Sequence, residues 1–367
     1  MCLSPARAGE RHIPSCGANG IVPELVNFFK MYYNNINKAV PLMIADPGFL
    51  PLRFRGERKQ ILRVGWNCLW IKNFKGKMRL EGDCVAADLH CHTKMSDGSV
   101  SIDELILLAK KRGISTLAVT DHDTFAGTTR AKVFGSRHGV EVLSGIEISA
   151  YDNERGNKAH ILGYCCECPD RLEGLCRKIG NSRRRSANIM LQKVMRIYPI
   201  PAEMVLRRAQ GSTNVFKQHI MHALVDAGYT TEIFGPLFEK LFAPRGGLAY
   251  CPVAYPDVHD VIRRIHEAGG LAVMAHPGEY NGHDLMCELA EKGEIDGIEV
   301  WHPSSREEFV PQYIALARQH DLLMTGGTDF HGMYTKDCHP LGSFLTPDDQ
   351  LEELKKRKAR MLKDAGR

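Results

Sequence analysis

The sequence lacks long apolar runs and has little excess charge. No stretch reaches the roughly 20 apolar residues that a membrane-spanning helix needs, so we expect no membrane association. The formal net charge is only +5 over 367 residues, and much of it lies in local clusters at 183–185 and 355–358. Such a charge does not require a protein that binds duplex DNA. A phosphorylated small molecule or a short nucleic-acid fragment suits it equally well.

The cysteines do not form a recognisable framework. Twelve are present, but they are scattered, and Cys165-Cys166-x-Cys168 has no second pair at zinc-finger spacing. The N-terminal sequence does not have the pattern of a cleavable signal peptide. We therefore expect reduced thiols and a cytoplasmic location, with ordinary buried cysteines rather than a zinc knuckle.

Seven apolar runs of strand length alternate with helical stretches beyond residue 78, a pattern typical of a β/α fold with parallel strands. A hydrophobic content of 44% is enough for a substantial core. The first helix has clear end signals, because Ser101 and Glu104 form a capping box and Gly113 follows the last turn. The strands are predicted at 84–89, 117–120, 140–148, 160–164, 271–275, 297–300 and 322–325, and the helices at 102–112, 125–138, 257–268, 284–292 and 307–320.

Polar residues of the types that bind metals follow many of these runs. In a parallel β/α barrel, residues just past the strand ends meet at one face, where such folds place their chemistry. Packing does not require acids and imidazoles at five strand ends, whereas a site with several metal ions needs bridging carboxylates and neutral imidazoles. His160 begins its run, so spacing alone leaves it open between ligand and packing residue. The residues after the other runs are His90, His92, His122, Glu147, His276, Asp329 and His331.

The order of short motifs strongly resembles the polymerase-and-histidinol-phosphatase (PHP) family. The likeness is greatest to the stand-alone branch of TrpH-like proteins and nucleoside 3',5'-bisphosphate phosphatases, and it covers residues from about 78 to 345. The motifs are Asp-Leu-His-Cys-His-Thr (88–93), Ser-Asp-Gly (96–98), Thr-Asp-His-Asp (120–123), Gly-Ile-Glu (145–147), His-Ile-Leu-Gly-Tyr (160–164), Ala-His-Pro-Gly (275–278) and Thr-Asp-Phe-His-Gly (328–332).

The resemblance implies a distorted seven-stranded (β/α)7 barrel with a helical insertion domain. It divides the chain into an N-terminal extension of unknown role (1–77), the barrel (78–168 and 253–345), a substrate-capping insertion (169–252) and a basic C-terminal helix (346–367). It also implies two to three divalent metal ions, manganese before iron or zinc. The implied ligands are His90, His92, Glu147 and Asp329 for one ion, Glu147, His160 and His276 for a second, and Asp97, His122 and His331 for a third.

The implied reaction is attack on phosphorus by a hydroxide that bridges two metal ions, because metal coordination lowers the pKa of water to about 7 at a single zinc. The catalytic residues would be Asp329, His331 and Glu147. Asp329 would orient the hydroxide, and either His331 or a metal-bound water would protonate the leaving group. Asp88 is expected to support an imidazole from behind instead of binding metal itself.

The insertion is expected to bind substrate phosphate. Arg183 and the segment that contains Lys217 and His219 match phosphate-binding positions of the family, with lysine in place of an arginine at 217. Lysine keeps the charge but loses the planar fork that binds phosphate through two bonds. His219 is equally consistent with helix packing, and Arg245 is a further candidate.

The resulting expectation is a metal-dependent phosphoric ester hydrolase. Its substrates would be small phosphorylated metabolites, with nucleoside 3',5'-bisphosphates or short oligonucleotide ends ahead of others. A cyclic phosphodiesterase or a histidinol-phosphate phosphatase on the same site is an alternative. A non-catalytic module in a nucleic-acid-processing assembly is another, although intact ligand positions argue against it. The sequence leaves the substrate, the metal and the oligomeric state open.

Overall fold

The computed structural model describes residues 60–63, 69–72, 78–80, 86–337, 339–364 and 366. The predicted extension at 1–77 lies largely outside these residues, so its role stays a prediction. The first segments are three short strands that form a sheet in chain order: β1 (Gln60–Arg63), β2 (Leu69–Lys72) and β3 (Met78–Leu80).

A second sheet of seven strands forms the centre of the remaining structure. Every strand that the sequence predicts is present, with ends that move by a few residues. Its strands are β4 (Ala87–Cys91), β5 (Thr116–Val119), β6 (Glu141–Asp152), β7 (Asn157–Tyr164), β8 (Leu271–Met274), β9 (Gly297–Trp301) and β10 (Leu323–Gly326). They neighbour one another in chain order from β4 to β10.

Ten helices lie within the described residues beyond β4. They are α1 (Ile102–Arg112), α2 (Thr128–His138), α3 (Asp170–Ile197), α4 (Ala202–Arg208), α5 (Lys217–Asp226), α6 (Pro236–Phe242), α7 (Val258–Glu267), α8 (His283–Glu291), α9 (Val310–Gln319) and α10 (Asp348–Asp364). The capping box of α1 is confirmed, and Gly113 ends this helix with a left-handed φ of 76°. Within the described residues, no helix combines the length and the apolar character needed to cross a bilayer.

The prediction of uniformly parallel strands is wrong for β7, which runs antiparallel to both β6 and β8. Only residues 153–156 connect β6 to β7. A parallel return needs a crossover of about a dozen residues, so this short connection makes a hairpin. The start of β7 therefore lies at the same edge of the sheet as the ends of the parallel strands. This explains why His160 precedes an apolar run although its counterparts follow theirs.

The sheet curls until its two outer strands nearly meet, which gives an almost closed barrel. Cys91 at the end of β4 forms an isolated parallel bridge with Phe330, just beyond β10. The backbones approach so closely that a Cβ on Gly327 would lie 2.3 Å from Cβ of His90. Cys91 itself is buried among apolar residues of α1 and α2, on the opposite face from the histidines that flank it.

Apolar side chains form separate clusters inside and outside the barrel. Leu89, Leu162 and Val273 belong to the interior cluster, which Leu351 and Leu354 of α10 complete. The C-terminal helix thus buries its apolar face in the core and exposes the basic one. The long helix α3 packs its first half against the outer face of the barrel and its second half into a cluster formed by α4, α5 and α6. The division into domains nevertheless stays a prediction.

Candidate metal centre

Glu147 lies at the centre of a ring of five histidines. This carboxylate is 1% exposed and projects from the middle of β6, not from its end. Its Oε1 lies 2.8 Å from Nδ1 of His160 and 2.8 Å from Nε2 of His276. Its Oε2 lies 3.1 Å from His122, 3.2 Å from His92 and 3.3 Å from His90. Both oxygens of this carboxylate therefore lie within reach of imidazole nitrogens.

Two further carboxylates extend this ring on its open side. Oδ1 of Asp329 lies 3.4 Å from His90 and 3.1 Å from His92. Oδ1 of Asp97 lies 3.3 Å from His331, and its Oδ2 lies 3.8 Å from His122. All nine residues that the resemblance implies as ligands are therefore brought together. Five groups within the described residues have mutually close donor atoms, and the two with four members are His90, His92, Glu147 and Asp329, and His92, Asp97, His122 and His331.

The hydrogen bonds of the histidines leave nitrogen lone pairs directed at the centre. Nδ1 of His90 lies 2.9 Å from buried Glu299, so its proton is held there and Nε2 faces the carboxylates. Nδ1 of His331 donates to the backbone oxygen of Asp329 at 2.9 Å. Such contacts from behind fix the ring orientation of metal-binding histidines. Buried atoms with no hydrogen-bond partner include His90 Nε2, His92 Nε2, His122 Nδ1 and Asp329 Oδ1, a donor set that fits divalent metal ions.

Burial and charge shift the pKa values of these groups in opposite directions. Burial raises the pKa of Glu147, but the surrounding histidines outweigh it and hold the pKa well below its usual range. Burial lowers the pKa of His122 to about 4. Burial lowers the pKa of His331, but Asp97 and Asp329 outweigh this effect and raise the pKa to about 10. The carboxylates are thus ionised at neutral pH, as metal ligands must be.

We expect metal binding to release protons at neutral pH. Without metal, His276 has its pKa raised to about 9, since Glu279 and Glu147 outweigh its burial, and His331 has its pKa raised to about 10. Both are protonated at pH 7.5 and must lose the proton to bind an ion. Affinity should therefore rise with pH and level off above about pH 10. Calorimetric titration of Mn²⁺ in buffers of different ionisation enthalpy measures this release, and a count of zero at pH 7.5 would contradict it.

Sequence reasoning missed Glu299 and His302, although a signal was available. His302 follows β9 as the predicted ligands follow their strands, and Glu299 is an acid within that buried strand. The backbone N–H of Ser304 donates to Nδ1 of His302 at 3.0 Å, which leaves the proton on Nε2. That nitrogen lies 3.5 Å from Oδ2 of Asp329. Glu299 therefore orients His90, and His302 lies beside Asp329.

Asp88 does not have the expected role behind an imidazole. Its side chain accepts hydrogen bonds from the backbone N–H and hydroxyl of Thr328, at 2.9 and 2.6 Å, and from the backbone N–H of Gly342 at 2.9 Å. It therefore fixes the backbone immediately before Asp329, and Glu299 supports the imidazole instead.

Several residues of the site have left-handed backbone conformations. The φ angles are 49° at Asp329, 25° at His276 and 57° at Asp123. Residues other than glycine adopt this region at a cost, and aspartate and asparagine tolerate it best. Such strain concentrates at functional sites. These residues lie in the turns that follow the strands, and the left-handed conformation changes the direction of the chain there.

A cleft of about 380 Å³ opens above the carboxylates. Its wall includes Tyr280 and His302 from the barrel, Gln218 from α5, and Phe234 from the segment just before α6. Gln218 also donates to Oδ2 of Asp97 at 3.2 Å. The volume lies within the range of small-molecule sites.

The predicted phosphate-binding residues lie outside this wall. Arg183 donates to Asp123 at 2.5 Å and to Ser149 at 3.0 Å, and its guanidinium stacks on Phe216. Lys217 has its ammonium among the rings of Phe238, Phe242 and Tyr250. Burial, with the like charge of Lys158, lowers the pKa of Lys217 to about 8.

The other two candidates differ in burial. Nδ1 of His219 accepts the backbone N–H of Phe216 at 3.1 Å, and its ring packs against Tyr334, so this buried residue has the contacts of a helix-packing histidine. Arg245 is exposed in the loop after α6. The phosphate roles of all four residues stay predictions.

The sequence matches the family model described as the PHP domain over residues 88–268. Phosphoribosyl 1,2-cyclic phosphate 1,2-diphosphodiesterase from Eggerthella lenta is 39% identical over 254 residues, which are 69% of this chain and 96% of that protein. The 5'-3' exoribonuclease Rnm from Escherichia coli is 34% identical over 257 residues, which are 67% of this chain and 85% of that protein.

The fold also matches a solved structure from Bifidobacterium adolescentis that is described as a candidate metal-dependent phosphoesterase. The TM-score is 0.66 at 30% sequence identity, and the match covers 74% of this chain and 96% of that chain. The two relatives are named as a phosphodiesterase and an exoribonuclease, and both cleave phosphate esters. This chain therefore belongs to the PHP domain family and is a metal-dependent phosphoesterase.

Proposed function

We propose that the enzyme hydrolyses a phosphate ester on a small phosphorylated ribose that has a second phosphate group. The observation that carries this proposal is the ring of five histidines around Glu147 at the floor of a cleft of small-molecule size. Histidine and carboxylate donors in this number suit a site with more than one divalent ion.

The proposed ligand sets are those that the motifs imply. His90, His92, Glu147 and Asp329 would hold one ion, Glu147, His160 and His276 a second, and Asp97, His122 and His331 a third. Manganese is the proposed metal, with iron or zinc as alternatives. Bound divalent ions supply two kinds of chemistry: they lower the pKa of water and they neutralise phosphate oxygens.

Asp329 is the proposed catalytic carboxylate. Its two oxygens face different partners: Oδ1 faces His90 and His92, and Oδ2 faces Nε2–H of His302. Nε2 of His302 lies 3.5 Å from the second oxygen, and Asp329 can accept a proton from an attacking water. His331 lines the same cleft, and it or a metal-bound water would protonate the leaving group.

A cyclic phosphodiester of ribose phosphate is the first substrate candidate. The Eggerthella lenta relative is named for such a substrate, and this chain aligns with 96% of it. The cleft volume of about 380 Å³ is consistent with a sugar phosphate. Hydrolysis of one ester bond of a cyclic phosphate opens the ring, and hydrolysis of both bonds with two waters also releases inorganic phosphate.

Nucleoside 3',5'-bisphosphates or short oligonucleotide ends are the second candidate. Phe234 and Tyr334 line the same cleft, and their rings offer stacking surfaces for a base. The Escherichia coli relative is named as an exoribonuclease. A bisphosphatase would release inorganic phosphate, and an exonuclease would release nucleotides.

One screen distinguishes these candidates. The purified protein is incubated with Mn²⁺ and, separately, with phosphoribosyl 1,2-cyclic phosphate, adenosine 3',5'-bisphosphate and a 5'-phosphorylated trinucleotide, and products are separated by chromatography. Selective hydrolysis of the cyclic phosphate, with or without release of inorganic phosphate, supports the first candidate. Selective release of phosphate from the bisphosphate, or of nucleotide from the trinucleotide, supports the second. Failure to hydrolyse any of the three would contradict the proposed substrate class.

A further inference from the structure

Lys158 is a partly buried cation that lacks an acidic partner. Within the described residues, neither a hydrogen bond nor an ion pair engages its ammonium. Instead, Nζ lies 5.8 Å from the ring centre of Tyr255 and 5.9 Å from that of Tyr280. Aromatic faces attract a cation, but they do not accept all three N–H donors of an ammonium. The arrangement leaves donors for an anionic ligand.

The hairpin places Lys158 beside the metal centre. The strands β6 and β7 pair in regular register, with Ser149 opposite His160 and Tyr151 opposite Lys158. Since side chains alternate between faces, Lys158 and His160 lie on one face, roughly 7 Å apart along the strand. Glu147 and Ser149 of β6 share that face. Lys158 is therefore one step further from the barrel floor than His160, towards the hairpin tip.

A second cation reaches the same face. Nη2 of Arg183 donates to Ser149, directly opposite His160, and the guanidinium lies 5.7 Å from the ring centre of Tyr255, which also lies beneath Lys158. Asp123 balances one charge of this pair. Nε of Arg183 is buried without a hydrogen-bond partner. Two cations with unused donors and one paired carboxylate leave an uncompensated positive charge.

Tyr280 connects this region with the cleft. Its ring lies 5.3 Å from that of His160 and lines the cleft wall. Its backbone has a φ of 51°, a conformation that few tyrosines adopt. An extended molecule at the metal centre would pass this ring before it reaches Lys158.

We propose that Lys158, with Arg183, forms a second anion subsite that binds the non-reacting phosphate of a substrate with two phosphate groups. This inference rests on the proposed function and adds to it a specificity-determining residue. The ester to be hydrolysed lies at the carboxylates, and the other phosphate lies at Lys158, between the rings of Tyr255 and Tyr280. A ribose with phosphates at both ends has the required chemistry.

The test compares binding of two probes to full-length protein loaded with Mn²⁺. Turnover is blocked with Asp329→Asn, whose bound Mn²⁺ is measured first because Asp329 is itself a proposed ligand, and the added changes are Lys158→Met, Lys158→Arg and Lys356→Met. Lys356 is an exposed control on α10, whose side chain pairs with Glu352. The probes are adenosine 3',5'-bisphosphate and inorganic phosphate, titrated by calorimetry.

We expect Lys158→Met to raise the Kd of the bisphosphate roughly 10- to 100-fold, as loss of a hydrogen bond to a charged group does. The Kd of inorganic phosphate should not change. Lys158→Arg should keep most of the bisphosphate affinity, and Lys356→Met all of it. An unchanged Kd in Lys158→Met, or an equal loss for both probes, would overturn the subsite. The subsite would also be overturned if the protein that keeps Lys158 bound the bisphosphate no more tightly than inorganic phosphate.

Failure of the proposed function gives a different result. In that case the protein with Asp329 intact would hydrolyse none of the phosphate esters in the screen. The binding comparison would still report on Lys158, because it does not depend on turnover.

Discussion

Glu147→Gln is expected to abolish phosphoesterase activity. The substitution keeps the shape of the side chain but removes the charge around which His90, His92, His122, His160 and His276 are arranged. An amide nitrogen does not bind a divalent ion, so a proposed metal ligand would be lost. Electrostatic stabilisation by such ions amounts to several kcal/mol. The kcat/KM should therefore fall by at least roughly 10³-fold, and bound metal should decrease.

Glu141→Gln is the matched control for this change. Glu141 lies on the same strand, but its side chain is exposed and pairs with Lys355. Its substitution should leave kcat/KM and metal content unchanged, because exposed ion pairs contribute little. Circular dichroism should show folded protein in both variants. A Glu147→Gln protein with full activity would contradict the assignment of the centre.

Asp329→Asn is the second change with a large expected effect. Asparagine tolerates the left-handed backbone at this position, where φ is 49°, so the turn should be retained. The change removes the negative charge that faces His90, His92 and His302. Loss of a proton acceptor at a reacting centre costs roughly 10²- to 10⁴-fold in rate. We expect a loss in kcat of that size, measured with the best substrate from the screen.

Asp321→Asn separates loss of charge from any effect on the backbone. Asp321 has a similar φ of 52°, but its side chain is 98% exposed. It is not a proposed metal ligand, and only Asp329 and His331 among those ligands lie close to it in sequence. This variant should keep wild-type kcat and thermal stability. Equal loss of activity in both variants would show that the effect at position 329 is not specific to the site.

Hydrophobic patterning is sufficient to predict the seven strands of the barrel, because each one buries a short apolar run. It does not predict their direction. The antiparallel direction of β7 follows from the short connection at 153–156, which contains no helical stretch. This signal is present in the sequence, but the alternation of strands and helices elsewhere in the chain led to the wrong prediction. The position of His160 at the start of its strand has the same cause.

The candidate ligands were predictable as a set because acids and histidines recur after several strands. Contacts between residues that are brought together only across the barrel were not predictable from the sequence. Glu299 supports His90 from a strand 209 residues away in sequence, and Gln218 reaches Asp97 from a helix 121 residues away. The ion pair between Arg183 and Asp123 is of the same kind. Such pairs leave no local pattern, so only the folded chain reveals them.

Metal content tests the central claim most directly. The full-length protein is purified without chelator and analysed for manganese, iron and zinc by mass spectrometry, with Glu147→Gln and Glu141→Gln in parallel. We predict at least two equivalents of divalent metal in the wild type and in Glu141→Gln, and a clear loss in Glu147→Gln. A folded wild-type protein that holds almost no metal, and that takes up none when Mn²⁺ is added, would contradict the metal-dependent reaction.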